Sequence, residues 1–147
     1  TCYEVTKKTL SATFAELRAH HVHLPGILLK PNMVISGLDC PKQAGPDEVA
    51  EQTIKCFTEC VPSEVSGIVF LSGGQTSIEA TDHLNRMNST GPHPWELSFS
   101  YGRALQHDPL MTWNGSNDNK MAAQSTFLKR VKLNGLARYG KYNLDME

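Results

Sequence analysis

Gly67-Ile68-Val69-Phe70-Leu71-Ser72-Gly73-Gly74 is the stretch of sequence that decides the fold. Its first five residues form an uninterrupted apolar run, which predicts a strand buried on both faces, as in a parallel sheet. The glycines close this strand, and residues 77–88 then follow a helical pattern. A buried strand that leads through a glycine turn into a helix is typical of a βα unit.

The same alternation of strand and helix extends to both sides of this stretch. Residues 27–32 and 95–101 read as two further strands, and helices are predicted over residues 1–20, from Pro46 to the break at Pro62, over 104–113 and over 119–139. In the last helix we expect Met121, Leu128, Val131 and Leu136 to face the core. The pattern predicts an α/β fold whose parallel strands all end at one rim, where barrel enzymes build their active sites.

Composition and charge narrow the classes of function. The chain has 147 residues, 39% of them hydrophobic, and a formal net charge of -1. This predicts one domain without a general attraction for nucleic acid or an anionic membrane surface. No run of about 18 apolar residues predicts a membrane span. The first helix begins at Thr1 without a convincing capping box, so we expect the chain to be part of a longer protein.

Lys30 is the most informative single residue. It ends an apolar strand and precedes Pro31, so we expect it to be poorly solvated. Desolvation disfavours the ammonium form, and a neutral amine is the nucleophile that attacks a ketone to give an imine. The plainer alternative is a lysine at a strand end that extends its ammonium into water or pairs with a carboxylate.

Two further strand ends carry groups suited to an anion. The backbone amides of Ser72-Gly73-Gly74 can cradle a phosphate, although the same residues also make an ordinary turn. Gly102-Arg103 follows the next strand, and arginine can grip a phosphate through two hydrogen bonds. Together with Lys30, these residues predict a site for a phosphorylated carbonyl compound.

Histidines and cysteines indicate no metal centre. His20, His21 and His23 are clustered, but their place at a helix end favours a structural role, because no carboxylate or thiol nearby completes a ligand set. The four cysteines lack metal-ligand or disulfide spacing, so we expect reduced thiols that are buried or half-buried (Cys2, Cys40, Cys56 and Cys60). We therefore predict neither a metal nor a cofactor, and a cytoplasmic protein.

Several motifs resemble those of class I fructose-bisphosphate aldolases, in order and over essentially the whole chain. They are Leu28-Leu29-Lys30-Pro31-Asn32-Met33, Phe70-Leu71-Ser72-Gly73-Gly74-Gln75, Phe99-Ser100-Tyr101-Gly102-Arg103-Ala104-Leu105-Gln106, Leu84-Asn85 with Met87-Asn88, Trp95, and Gly140-Lys141-Tyr142. The resemblance implies an eight-stranded βα barrel, of which residues 1–147 supply roughly the last three βα units as the C-terminal part of one domain. It also implies a short-tailed form and a homotetramer.

The resemblance also implies roles for individual residues. Lys30 would be the Schiff-base lysine. Ser72, Gly73 and Gly74 would hold a substrate phosphate, and Ser100, Gly102 and Arg103 would contribute to that phosphate-binding rim. The reaction implied is reversible cleavage of fructose 1,6-bisphosphate into dihydroxyacetone phosphate and glyceraldehyde 3-phosphate, without a metal or other cofactor.

The family's first five strands, which carry its acid and base carboxylates, have no counterpart in the 147 residues. A barrel of this type needs ~250 residues to close. We therefore expect the isolated segment to have little or no activity. Two alternatives stay open: a non-catalytic fragment that binds a partner or completes a barrel in trans, and a Schiff-base lyase for another sugar phosphate.

Overall fold

The computed structural model describes residues 1–147 and contains three strands and five α-helices in alternating order. The elements are α1 (Cys2–Ala19), β1 (Leu28–Leu29), α2 (Pro46–Cys60), β2 (Gly67–Phe70), α3 (Ser77–Ser89), β3 (Glu96–Phe99), α4 (Arg103–Trp113) and α5 (Lys120–Ala137). Short 3-10 turns occupy Leu24–Gly26, Asn117–Asn119 and Leu144–Met146. The predicted alternation of strand and helix is confirmed. No helix is both long and apolar enough to cross a membrane.

The sheet is parallel, with strand order β1-β2-β3. Leu29 pairs with Ile68, and Ile68 pairs with Leu97, so these three side chains lie at one level and on one face. This face packs on the helices: Ile68 and Phe70 are fully buried and Leu97 is 1% exposed. The predicted α/β class with a parallel sheet is confirmed.

The opposite face of the sheet has no helix over it. Leu28 on this face is 63% exposed, and Val69 and Leu71 are only half-buried. The expectation that residues 67–71 form a strand buried on both faces is therefore wrong for the chain as it stands. In the run of residues 67–71, the apolar side chains of one face pack against helices. Those of the other face lie on a surface that these three strands leave uncovered.

Helix α2 connects β1 to β2 in the sequence and packs on the helix-covered face of the sheet. It begins at Pro46 after the N-cap Gly45, with acidic residues in its first turn, as the sequence predicted. The rings of Phe57 in α2 and Phe70 in β2 stack with centroids 5.8 Å apart. Both side chains are fully buried, and each contributes roughly 1.5–3 kcal/mol to stability.

Asn88 in α3 ties three elements together through its side-chain amide. The amide donates to the backbone carbonyls of Leu84, Leu97 and Ala137, at 3.1, 3.4 and 3.2 Å. One polar side chain thus links α3, β3 and α5. Nearby, the Asn85 side chain accepts the backbone N–H of Tyr142 at 2.9 Å. Both asparagines therefore have structural roles among packed helices, where unpaired polar groups would be costly.

Helix α5 buries different residues from those expected. Met121 and Leu128 are 74% and 65% exposed, Val131 is 37% exposed, and only Leu136 among the expected residues packs against the core. The buried positions are Arg130, Leu133, Asn134 and Ala137. Leu128 and the neighbouring Phe127 instead line an open groove of about 580 Å³ between α4 and α5.

Gly140 ends the last helical turn and is expected to tolerate no side chain. Its φ is +65°, and a Cβ there would lie 2.9 Å from Ser89 Oγ and 3.2 Å from the Ser89 backbone nitrogen. Replacing Gly140 by alanine should destabilise the protein by about 2–4 kcal/mol, from left-handed backbone strain and overpacking. The urea midpoint of the full-length chain measures this change.

Gly135 provides the matched control for Gly140. It lies within α5, its backbone is not left-handed, and a Cβ would meet nothing within 4 Å. Gly135→Ala should therefore leave stability unchanged or raise it by up to about 1 kcal/mol, because alanine favours the helix. Equal midpoints for Gly140→Ala and Gly135→Ala would contradict the steric account.

Candidate functional site

Lys30 lies on the open face of the sheet. The Leu71 N–H donates to the Pro31 carbonyl at 3.0 Å, which continues the β1–β2 register and sets Lys30 level with Val69 and Ser98. In a parallel sheet, residues at one level point to the same face, so Lys30, Val69 and Ser98 share the face that helices do not cover. Lys30 is exposed, so the expectation of a poorly solvated lysine is wrong within these 147 residues. The reason is the absence of a second layer over this face.

The turn after β2 contains Ser72, Gly73 and Gly74. Ser72 is buried, whereas Gly73 and Gly74 are exposed with φ of +56° and +89°. Their left-handed backbone explains the glycines, since other residues adopt it at a cost. The backbone N–H groups of all three residues donate to no group in the protein. Successive free N–H groups in such a turn can bind an anion, and we call these three residues the nest; their binding of a phosphate stays a prediction.

Helix α3 begins directly after this nest and is capped by its own residues. Thr76 and Glu79 form a reciprocal capping box, with the Glu79 carboxylate accepting from the Thr76 backbone at 2.8 Å. Hydrogen bonds from the Thr76 backbone and hydroxyl lower the pKa of Glu79, which keeps the carboxylate ionised. The cap occupies the N–H groups of Thr76 and Glu79, whereas those of Gly73 and Gly74 have no partner in the protein.

Arg103 approaches the nest from the next strand end. Gly102 is the N-cap of α4 and Arg103 is its first residue; both are exposed. Arg103 Nη2 lies 3.9 Å from the point that a Cβ of Gly74 would occupy. Gly74 and Arg103 line one cavity of about 280 Å³, together with Gln75, Thr76, Ser77, Ala104, His107 and Asp108.

The remaining predicted residues do not line this cavity. Ser100 is exposed, and its N–H donates to the Phe70 carbonyl at 2.8 Å, so it lies level with Leu71 and on the same open face as Lys30. Lys30 directly follows the outer strand β1, which is separated from β3 by β2. The structure therefore brings Gly74 and Arg103 together at one cavity, and it places Lys30 and Ser100 on the open face of the sheet. The roles assigned to these residues stay predictions.

Four polar residues near the nest escaped the sequence reasoning: Gln75, His83, His107 and Asp108. The last two lie on α4, and His107 follows Arg103 by four residues, which places both on one face of the helix. That spacing was a usable signal. His83 Nδ1 donates a hydrogen bond to Gln75 Oε1 across eight positions of the chain, which no local pattern indicates.

The histidine cluster does not form a metal centre in the structure. His20 caps α1, and no group of three or more His, Cys, Asp or Glu side chains could hold a metal ion. All four cysteines are free. Cys56 is buried, and burial raises the pKa of its thiol to about 12; Cys2 and Cys60 are half-buried. Cys40 is exposed, so the expectation of burial is wrong there, since it lies in the loop before α2.

Chemically, this rim combines an amine with an anion site. The nest and the Arg103 guanidinium supply donors for a phosphate group, and Lys30 supplies an amine on the adjoining sheet face.

Comparison with known proteins places this geometry in a family. The family model described as "Glycolytic: Fructose-bisphosphate aldolase class-I" matches residues 1–147. Fructose-bisphosphate aldolase 1 of Toxoplasma gondii is 50% identical over 141 residues, which cover 96% of this chain and 39% of that protein. Fructose-bisphosphate aldolase of Dictyostelium discoideum is 51% identical over 139 residues, which cover 95% of this chain and 39% of that protein.

A solved structure of similar fold is the aldolase of Plasmodium falciparum, in a ternary complex with TRAP and a small-molecule inhibitor. It superposes with a TM-score of 0.94 at 46% identity, over 97% of this chain and 41% of that one. The chain thus spans about two-fifths of the length of the curated relatives it matches.

Proposed function

The chain belongs to the class I fructose-bisphosphate aldolase family, and from that premise we propose that the protein in which it functions cleaves fructose 1,6-bisphosphate through an imine on Lys30. The observation that supports this most directly is the arrangement of the strand ends. Lys30 shares an open sheet face with Ser100, and the Ser72-Gly73-Gly74 nest and Arg103 lie at the adjoining rim. The fold is the TIM-barrel family fold, of which these residues are a part.

In the proposed reaction, the neutral amine of Lys30 attacks the C2 ketone of the open-chain sugar, and loss of water gives a protonated imine. Removal of the C4 hydroxyl proton by a base lets the C3–C4 bonding electrons move into the imine. Glyceraldehyde 3-phosphate leaves and an enamine remains. Protonation of the enamine at C3, followed by hydrolysis of the imine, releases dihydroxyacetone phosphate and restores the amine.

The residues of the rim would hold the substrate during these steps. The amides of Ser72, Gly73 and Gly74 and the guanidinium of Arg103 would bind one phosphate, with Ser100 and Gly102 at its edge. Fixing one phosphate holds C2 near Lys30 and converts the attack into an effectively intramolecular step. The resemblance assigns the proton transfers to the family's first five strands. Neither a metal nor a cofactor is needed, because the protonated imine is the electron sink.

Borohydride trapping tests the imine. The full-length protein is incubated with fructose 1,6-bisphosphate or dihydroxyacetone phosphate, reduced with borohydride and digested for mass spectrometry. We expect a stable adduct on the peptide that contains Lys30. Other ketose phosphates in parallel reactions test a lyase of different specificity. An adduct on Lys42 or Lys55, or none at all, would contradict the assignment.

Residues 1–147 alone form the second arm of that experiment. They are expected to show little or no cleavage, because they supply three strands of a barrel that closes with eight. Mixing them with the remaining segment of the protein tests complementation in trans. Normal turnover by the isolated residues would overturn the proposal that activity needs the rest of the barrel.

The assembly and location that we propose are a homotetramer in the cytoplasm. The resemblance supports the tetramer, and light scattering on the full-length protein measures it. Four free cysteines suit a reducing compartment. Fluorescence microscopy of the tagged full-length protein tests the location.

A further inference from the structure

Gln75 closes the turn that carries the anion nest. Its backbone N–H donates to the Ser72 carbonyl at 3.0 Å, and its side-chain Nε2 donates to the same carbonyl at 2.9 Å. Nε2 also lies 3.6 Å from the sulfur of Met33, which is 1% exposed. Two donors from one residue thus fix the orientation of the Ser72–Gly73 peptide unit, on which the direction of the Gly73 N–H depends.

His83 holds the other end of the Gln75 amide. His83 Nδ1 lies 2.5 Å from Gln75 Oε1, and the imidazole is 7% exposed within α3. Because the Ser72 carbonyl can only accept, Nε2 of Gln75 must face it, which turns Oε1 towards His83. His83 must then carry its proton on Nδ1. Burial lowers the pKa of His83, so the neutral Nδ1–H form supplies this donor near neutral pH.

Little else restrains the nest. Gly73 and Gly74 are exposed glycines with left-handed φ, and their N–H groups have no partner in the protein. A Cβ on Gly73 would approach only the Leu71 side chain, at 3.3 Å. Glycines in such a turn have wide conformational freedom, so their N–H groups converge on one point only when neighbouring groups hold the turn.

We propose that Gln75 and His83 are positioning residues for the phosphate nest. His83 orients the Gln75 amide, Gln75 holds the Ser72 carbonyl, and the N–H groups of Gly73 and Gly74 thereby point at a bound phosphate group. This inference rests on the proposed function and extends it to two residues that act through the Ser72 carbonyl. Such support of a binding group from behind is a common way to fix its geometry.

The test uses the full-length enzyme and separates KM from kcat. Gln75→Ala should raise KM for fructose 1,6-bisphosphate by about tenfold, the effect of about one hydrogen bond on a phosphate contact, and change kcat by less than about threefold. His83→Leu should act in the same direction. Combining His83→Leu with Gln75→Ala should raise KM little further, because the two residues act through the same series of hydrogen bonds. His83→Asn, which keeps an N–H donor, should restore most of the affinity.

Gln43→Ala is the matched control. Gln43 Nε2 also donates to two backbone carbonyls, those of Gly37 and Cys40, at 3.0 and 2.9 Å, but in the exposed loop before α2 and not to the nest. The Gln43→Ala variant should leave KM for fructose 1,6-bisphosphate unchanged. A purely structural role for His83 would lower the melting temperature without changing KM in the folded fraction, so both are measured for each variant.

A second measurement keeps this inference separate from the proposed function. Calorimetric titration with inorganic phosphate should show about tenfold weaker binding for Gln75→Ala than for wild type. If the wild-type protein binds phosphate but cleaves no sugar phosphate, the proposed function fails while the positioning role is still measured. Wild-type KM and phosphate affinity in folded Gln75→Ala would overturn the positioning role.

Discussion

Replacing Lys30 by arginine in the full-length protein is expected to lower kcat for fructose 1,6-bisphosphate cleavage by on the order of 10⁴-fold or more. A guanidinium stays protonated at all working pH values and cannot form the imine. The loss should occur without a loss of folding. Lys30 is exposed and takes part in none of the ion pairs of the structure.

The measurement is steady-state kinetics together with a melting curve. Lys42→Arg is the control, since Lys42 lies in the exposed loop before α2 and should keep wild-type activity and stability. Phosphate affinity should stay unchanged in Lys30→Arg, because the nest and Arg103 are intact. A kcat within about tenfold of wild type would show that Lys30 is not the nucleophile.

Replacing Arg130 by methionine is expected to be among the most destabilising changes in these residues, at about 2–4 kcal/mol. The Arg130 side chain is 4% exposed and donates to Glu147 Oε2 at 2.5 Å, to the Ser77 carbonyl at 2.9 Å and to Thr81 Oγ1 at 2.7 Å. The Glu147 side chain is 18% exposed and also accepts from the Tyr142 hydroxyl at 2.9 Å. Methionine would leave this carboxylate and two α3 acceptors without their main donor.

The urea midpoint of the full-length protein measures this effect, and Arg138→Met is the control. Arg138 pairs with Glu96 at 3.8 Å, and both side chains are largely exposed, so its loss should cost at most about 0.5 kcal/mol. A double variant, Arg130→Met with Glu147→Gln, should lose less than the sum of the two single changes, since it no longer strands a charge. Equal effects of Arg130→Met and Arg138→Met would contradict the account.

Much of the fold could be predicted from the sequence because each element has a local signal. The apolar run of β2 and the breaks at Pro46 and Pro62 depend on neighbours in the chain, so the alternation of elements was correct. The prediction of which α5 residues are buried was wrong. Hydrophobic spacing indicated Met121 and Leu128, but Arg130 and Asn134 occupy the buried positions. Charged residues are rarely buried unless paired, and their partners on α3 and at Glu147 are not local in sequence.

The sequence predicted which residues gather at the candidate site, but it predicted only part of what surrounds them. The glycine nest and Arg103 follow strand ends, and the rule that parallel strands end at one rim brought them together correctly. Whether Lys30 is buried could not be predicted from the local sequence, because it depends on what lies over the open face of the sheet. The link from Ser72 through Gln75 to His83 needed the three-dimensional turn, because its members interact through side-chain amide and imidazole geometry.

The strand register has a consequence for the chemistry. Lys30 lies level with Val69, three residues before Ser72, a rise of ~10 Å along the strands, so backbone pairing sets how far along the strands the Lys30 backbone lies from the proposed phosphate site. A slip of β1 by one residue would shift the amine by ~3.3 Å and turn it to the helix-covered face. Gly67, where an added Cβ would meet Leu28 Cδ2 at 3.1 Å and the Glu96 carbonyl at 3.3 Å, keeps the strands close at the opposite end. If Lys30 forms the proposed imine, the substrate carbon that it meets therefore depends on how the strands pair at their first residues.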